Sequence, residues 1–365
     1  MPQIDKLLQM AVQNRASDLH LATGSPFIMR QFGALRTLKS QPLAAESAQK
    51  LFYEILSEPQ RKELEENRQL DFSYVLKGVA RFRCNIIRQR KGLDGTFRVV
   101  PLKIPTIDEL GLPPVVKKFC DFHQGLLLVT GATGQGKTTT MASMVDFING
   151  TRPDHILTVE DPIEFIHPIK KAVVNQRQLG MHTRSFSNAL RAALREDPDV
   201  IMVGELRDLE SIELAVSASE TGHLVIATMS TSSGPKTVDR LIDSFPPDEQ
   251  NQIRAMLAES LRAVLTQKLI PRADGKGLVL AAEVLVGTTP MGNLIRAEKT
   301  FQIPNLMATG RSLGMQSMDD SLMNMYKAGV IAAEQAYRHC MQKKLFAQLL
   351  KGQGGAQQPA AQGKR

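Results

Sequence analysis

Residues 126–140 read LLLVTGATGQGKTTT. Leu126 to Val129 form a short apolar run, which predicts a buried strand. Gly131-Ala132-Thr133-Gly134-Gln135-Gly136-Lys137-Thr138 then matches G-x-x-x-x-G-K-[ST] in full, the pattern of a phosphate-binding loop. Its glycines let the backbone turn tightly and aim N–H groups at phosphate oxygens. Lys137 places a point charge at the β- and γ-phosphates, and Thr138 offers a hydroxyl to Mg²⁺. Residues 139–148 predict a helix whose amino end adds a favourable partial charge, so Thr139 joins the nucleotide-binding set. A glycine turn could be only a turn. The strand before it, the helix after it and the Lys-Thr pair point to ATP instead.

The chain has 365 residues, enough for two or three domains. Apolar residues make up 42% and charged residues 22%, the balance of a soluble globular protein. No apolar run reaches the length of a membrane span, and MPQIDKLLQMAVQNR lacks the apolar core of a signal peptide. Cys84, Cys120 and Cys340 are far apart and form no C-x-x-C pair, which argues for a reducing compartment. The net charge of +8 is dispersed and no nucleic-acid recognition motif accompanies it, so no nucleic-acid partner is expected.

Residues 1–15 place Ile4, Leu7, Leu8, Ala11 and Val12 at helical spacing. Strands are predicted at 16–21, 27–30, 34–37, 70–76, 79–89 and 93–100, with helices at 43–56 and 58–67. Residues 1–100 are thus an α+β domain, and Pro101, Pro105, Pro113 and Pro114 mark a linker over 101–118. From 119 to 350 strands and helices alternate, which implies a parallel sheet. Its strands are predicted at 125–129, 155–159, 200–203, 223–228 and 278–286, with helices at 186–196 and 208–220. From residue 290 the pattern is mainly helical. The tail, 351–365, is poor in apolar residues and is expected to be disordered.

A phosphate loop needs acidic partners. Asp197-Pro-Asp199-Val-Ile-Met-Val-Gly204-Glu205 ends an apolar strand in a carboxylate, which makes Glu205 the candidate general base. Thr158-Val-Glu160-Asp161-Pro162-Ile163-Glu164 also follows a strand. Glu160 and Glu164 can hold metal-bound water or orient a nucleophile. The competing reading is a helix cap at Asp161-Pro162. His223 starts a strand of the nucleotide-binding sheet, where it is either structural or a γ-phosphate sensor. Arg81, Arg83, Arg88, Arg90 and Arg98 alternate through strand-like segments. That alternation by itself reads as a charged outer sheet face. An arginine supplied by a neighbouring subunit can also stabilise the transferring phosphoryl group.

Taken together, these motifs resemble the PilT group of secretion ATPases, the motors of type IV pilus retraction. The resemblance runs from about residue 3 to 345. It covers Ser17-Asp18-Leu19-His20-Leu21, Arg81-Phe-Arg83, Phe97-Arg98-Val-Val-Pro101, the phosphate loop, TVEDPIEF, ALREDPDVIMVGELRD, TGHLVIAT, Asp239-Arg240-Leu-Ile-Asp243 and LIRAEKTFQIPNLMATGRSLGMQSMD. It implies an α/β protein with a PAS-like domain over 1–100. A RecA-like P-loop ATPase domain with a helical C-terminal part is implied over 119–350. It implies a homohexamer with ATP and Mg²⁺ between the two domains. Arg81, Arg83 and Arg98 would act near the phosphates, and Glu160, Glu164, Glu205 and His223 would be catalytic. Thr138, Glu164 and Glu205 would hold the metal. The implied partners are an inner-membrane pilus platform protein and a possible paralogous pilus ATPase. The implied location is cytoplasmic, peripheral to the inner membrane.

Two departures stand out. The family's Leu-His-Thr becomes Met229-Ser230-Thr231, so a serine replaces the second histidine. The C-terminal motif Ala-Ile-Arg-Asn-Leu-Ile-Arg-Glu becomes Pro290-Met-Gly292-Asn293-Leu-Ile-Arg296-Ala297. These changes suit an accessory, PilU-like paralogue or a slower motor. An assembly motor, a regulatory module with weak hydrolysis and a DNA translocase remain as rival readings.

Overall fold

The computed structural model describes residues 2–352. The disordered tail expected at 351–365 lies outside them apart from its first two residues. The amino-terminal stretch runs α1 (Gln3–Gln13), β1 (Ala16–Leu21), β2 (Ile28–Gln31), β3 (Ala34–Thr37), α2 (Ala45–Tyr53), α3 (Glu58–Asn67), β4 (Gln69–Leu76), β5 (Ala80–Gln89) and β6 (Gly92–Val100). The chain continues through α4 (Val115–Phe119), β7 (Gly125–Thr130), α5 (Lys137–Thr151), β8 (His155–Glu160), β9 (Val173–Gln178), α6 (Phe186–Ala193) and β10 (Val200–Val203). Then come α7 (Leu209–Glu220), β11 (Leu224–Met229), α8 (Gly234–Asp243), α9 (Gln250–Ser260), β12 (Leu261–Pro271) and β13 (Leu278–Val286). The last helices are α10 (Thr289–Arg296), α11 (Ile303–Thr309), α12 (Met318–Lys327), α13 (Ala333–His339) and α14 (Lys343–Gly352). This is an α/β fold with both parallel and antiparallel strand pairs.

The chain divides into two compact units. The first takes Met1–Thr106 and Met141–Gly204; the second takes Ile107–Thr140 and the chain from Glu205 onward.

In the first unit, six strands form an antiparallel sheet in the order β3-β2-β1-β6-β5-β4. Along β5 every second residue is buried: Ala80, Phe82, Cys84 and Ile86 point into the core, and Arg81 and Arg83 point the other way. The core packs Ile4, Leu8 and Ala11 of α1 with Phe52 of α2 and Phe97 of β6. The Phe52 and Phe97 rings lie 6.0 Å apart. Gly95 makes room for them, since a Cβ there would sit 2.7 Å from the Phe52 ring. Asp5 is buried with this core and accepts a 2.7 Å hydrogen bond from the Tyr74 hydroxyl. Burial, helped by that bond, pushes the Tyr74 phenol up to about 12. The same unit contains β10, β8 and β9, paired in parallel.

In the second unit β7 is flanked by β11 and β12, both parallel to it, and β13 pairs antiparallel with β12. All six residues of β7 and of β11 are buried, so these strands read as unbroken apolar runs. A separate cluster joins Ile270 and Ala281 of the sheet to Met318 and Leu322 of α12, Ala336 of α13 and Phe346 of α14. All three cysteines are free and buried. Among the described residues no helix is long and apolar enough to cross a membrane.

Candidate active site

The phosphate loop lies wholly in the second unit. β7 ends at Thr130, and the loop turns at Gly131 with φ 145°. A Cβ at Gly131 would meet the Gln267 carbonyl oxygen at 2.6 Å, so only glycine fits there. Gly134 and Gly136 adopt φ of 78° and 82°, the left-handed region that glycine tolerates. β12 braces the loop from beneath. The Gln267 side-chain amide donates to the Gln135 carbonyl at 2.6 Å, and the Leu269 N–H donates to Gln135 Oε1 at 2.7 Å. Lys137 Nζ donates to the carbonyls of Gly131 at 2.8 Å and Ala132 at 3.2 Å. Partial burial lowers the Lys137 ammonium from its ordinary value, against the attraction of Glu205.

Glu205 follows β10 in sequence, and its neighbour Leu206 donates its N–H to the Thr228 carbonyl of β11 at 2.9 Å. In the register of β11 on β7, Met229 lies opposite Thr130, the residue before the loop. Glu205 is therefore carried at the carboxyl end of β11, the end of the sheet at which the loop begins. Its Oε2 accepts from Arg207 Nε at 2.8 Å and Nη2 at 2.6 Å, and its Oε1 accepts from the Ser230 hydroxyl at 2.8 Å. Burial pushes this carboxyl up. The Ser230 and Arg207 hydrogen bonds and the charges of Arg207 and Lys137 outweigh it and hold the group below its ordinary value.

His223 is placed elsewhere. It precedes β11, beside the amino end of β7, where its carbonyl accepts from the Gly125 N–H. Six residues of strand separate it from the level of Thr130, about 20 Å at about 3.3 Å per residue. Its Nδ1 lies 3.0 Å from the Ala218 carbonyl and donates to it, which ties the ring to the end of α7. Within this chain the ring thus lies at the opposite end of the strand from the loop, and its bond to Ala218 is a structural one.

The first unit carries the arginines. Arg81, Arg83 and Arg98 share the face of β5 and β6 opposite the core, and Arg83 lies directly across from Arg98. Like charges in that position repel. Asp18 of β1, itself buried, accepts from Arg98 Nε at 2.9 Å and lies 4.0 Å from Arg30. Arg83 lies 3.8 Å from Glu164. Burial pushes Glu164 up, while Arg83, Arg98 and Arg81 pull it down; burial prevails. Guanidinium charge thus surrounds Glu164, which forms an ion pair with Arg83.

Glu160 is 4% exposed, and its Oε1 accepts from Thr158 at 2.7 Å and Gln176 at 3.0 Å. Enclosed in this way it braces the segment after β8. No helix begins at Asp161, so the capping alternative fails.

Among the described residues no group of three or more His, Cys, Asp or Glu is gathered as a metal cluster. Mg²⁺ does not require one, because one or two protein oxygens plus substrate phosphates and water satisfy it. The Thr138 hydroxyl, at the head of α5, is such an oxygen. Both Glu205 oxygens already accept hydrogen bonds, from Arg207 and from Ser230.

The bonds of Ser230, Arg207 and Gln267 escaped sequence reasoning. Ser230 was noticed only as a departure from a pattern. Gln267 lies in a strand that the sequence did not announce.

A parallel sheet, a phosphate loop at the end of its central strand and a carboxylate at the end of the next define a P-loop nucleotide-binding protein. The chain belongs to the type II/IV secretion system protein family, whose pattern matches residues 1–354. It is 48% identical over 333 residues to the type IV pilus retraction ATPase PilT of Pseudomonas aeruginosa PAO1, covering 91% of this chain and 96% of that protein. It is 45% identical over 327 residues to a twitching motility protein of Neisseria gonorrhoeae, covering 90% of this chain and 87% of that one. The crystal structure of the pilus retraction motor PilT with bound ADP superposes with a TM-score of 0.85 at 45% identity, over 94% of this chain and 99% of that one.

Proposed function

We propose that this chain is an ATP-hydrolysing motor of type IV pilus retraction. The single observation that carries the reading is the pairing, in one unit, of an intact phosphate loop with Glu205 held at the carboxyl end of the adjacent strand. The loop N–H groups and the amino end of α5 bind the β- and γ-phosphates. Lys137 exchanges its two loop carbonyls for phosphate oxygens. The Thr138 hydroxyl would hold Mg²⁺, which would neutralise phosphate charge when bound. Glu205 orients a water and accepts its proton as the water oxygen attacks the γ-phosphorus, and the bridging oxygen leaves with ADP.

The amino-terminal sheet is a PAS-like domain and the P-loop sheet a RecA-like domain. Six chains assemble into a ring, on the cytoplasmic side of the membrane that carries the pilus platform. Arg81, Arg83 and Arg98 supply charge to the transferring phosphoryl group, and Asp18 and Glu164 keep them from repelling one another. The likeness in sequence and structure to PilT over nearly the whole chain supports retraction over the regulatory and DNA-translocating readings.

Phosphate release by the purified protein tests this. Lys137→Ala should abolish turnover and nucleotide binding. Glu205→Gln should lower turnover about a hundredfold or more and leave binding intact. Deleting the gene should stop pilus retraction, and only a copy with an intact Lys137 should restore it. Hydrolysis at the normal rate by the Glu205 variant would refute the assignment of the base.

A further inference from the structure

We propose that Ser230 is a positioning residue for hydrolysis, aiming the Glu205 carboxylate at the attacking water. The inference rests on the reading of Glu205 as the base.

Ser230 is exposed at the end of β11, and its hydroxyl donates to Glu205 Oε1 at 2.8 Å. Arg207 donates twice to Oε2, from Nε at 2.8 Å and Nη2 at 2.6 Å. A carboxylate on two rotatable carbons has many orientations, and one held at both oxygens has few. The two clamps differ. Arg207 lies on the same loop as Glu205, two residues away, and moves with it. Ser230 lies on a different segment, directly after a fully buried strand whose register fixes it relative to Thr130 and the phosphate loop. Ser230 thus ties the base to the frame of the loop, which Arg207 cannot do. Each carboxylate oxygen has two acceptor positions. The serine therefore leaves one on Oε1 for a water O–H. In the proton transfer, Glu205 gains the water's proton, the water oxygen forms its bond to the γ-phosphorus, and the P–O bond to the ADP oxygen breaks with its electron pair on ADP. Ser230 keeps its proton throughout. A neutral hydroxyl suffices because its task is geometric, so replacement of the family's histidine here preserves the chemistry.

Ser230→Ala and Ser230→Thr, made in the full chain, test the proposal through the split between kcat and KM. Ser230→Ala should lower kcat about tenfold, the effect of one well-placed hydrogen bond, with KM for ATP and Kd for ADP within about twofold of the parent. Ser230→Thr should restore most of the loss. In the Glu205→Gln background, Ser230→Ala should cause no further loss. An alanine variant with kcat unchanged, or with nucleotide binding lost in step with kcat, would overturn the proposal, as would a further tenfold loss in the double variant. Normal hydrolysis by Glu205→Gln alone would mark a different failure, that of the base itself.

Discussion

At the scale of the residue, the acids of this chain separate by surroundings. Glu205 is held below its ordinary value by donors and cations; Glu160 is raised, with burial as the leading cause. A carboxyl raised in the native state binds its proton more tightly there than in the unfolded chain. Its contribution to stability is therefore full below the ordinary value of 4.5 and declines as pH rises from there through its raised native value. Glu160→Gln keeps the Oε1 acceptor that Thr158 and Gln176 use. Thermal denaturation from pH 4.5 to 8 should show a smaller fall in Tm for this variant than for the parent, and equal slopes would refute the account. Motif spacing in the sequence marks Lys137 and Glu205, whereas the alternation of the arginines by itself reads as a charged sheet face. It did not show that Glu160 is enclosed by Thr158 and Gln176. Whether a side chain opens to water depends on pairing that the linear pattern does not carry.

Among the elements, most helices and strands were legible. α1, β1, β3, α3, β10 and β13 fall within two residues of the expected bounds. β12 was missed. It follows α9 without a break, from Ser260 to Leu261, and no turn residue announces it. β9 was missed for the opposite reason: VVNQRQ is polar and no residue in it is fully buried. α8 escaped although Ser233 caps it and Pro235 opens its first turn. The missed β12 matters to the site, because it supplies two bonds to Gln135. Gln135→Ala leaves the Leu269 N–H without its side-chain acceptor, at a cost of about 1 kcal/mol or more. Titration with a fluorescent ADP analogue should show affinity lowered about five- to tenfold. Gly131→Ala, which would drive a methyl against the Gln267 carbonyl, should abolish binding altogether. Undiminished affinity in both variants would mean that β12 does not shape the loop.

For the molecule as a whole, the α/β class followed from the alternation of strands and helices after residue 119. The assignment of residues 141–204 to the first unit did not, because it depends on packing between distant segments. The C-terminal helices stand on one buried aromatic. Phe346 of α14 is fully buried with Ile270, Leu322 and Ala336. Phe346→Ala should destabilise the second unit by about 3–4 kcal/mol through the cavity it leaves, read as an earlier midpoint in urea. A midpoint within error of the parent would show α14 to be dispensable. That cluster also shares a strand with the phosphate loop. Gln267 and Leu269 of β12 bond the loop, whereas between and beyond them Lys268 donates to the His339 carbonyl of α13 and Ile270 enters the helical cluster. Alternate residues of a single rod thus hold the phosphate loop on one side and the distal helices on the other. Like a rocker arm on a fixed pivot, such a rod cannot shift at one end without the motion being felt at the other.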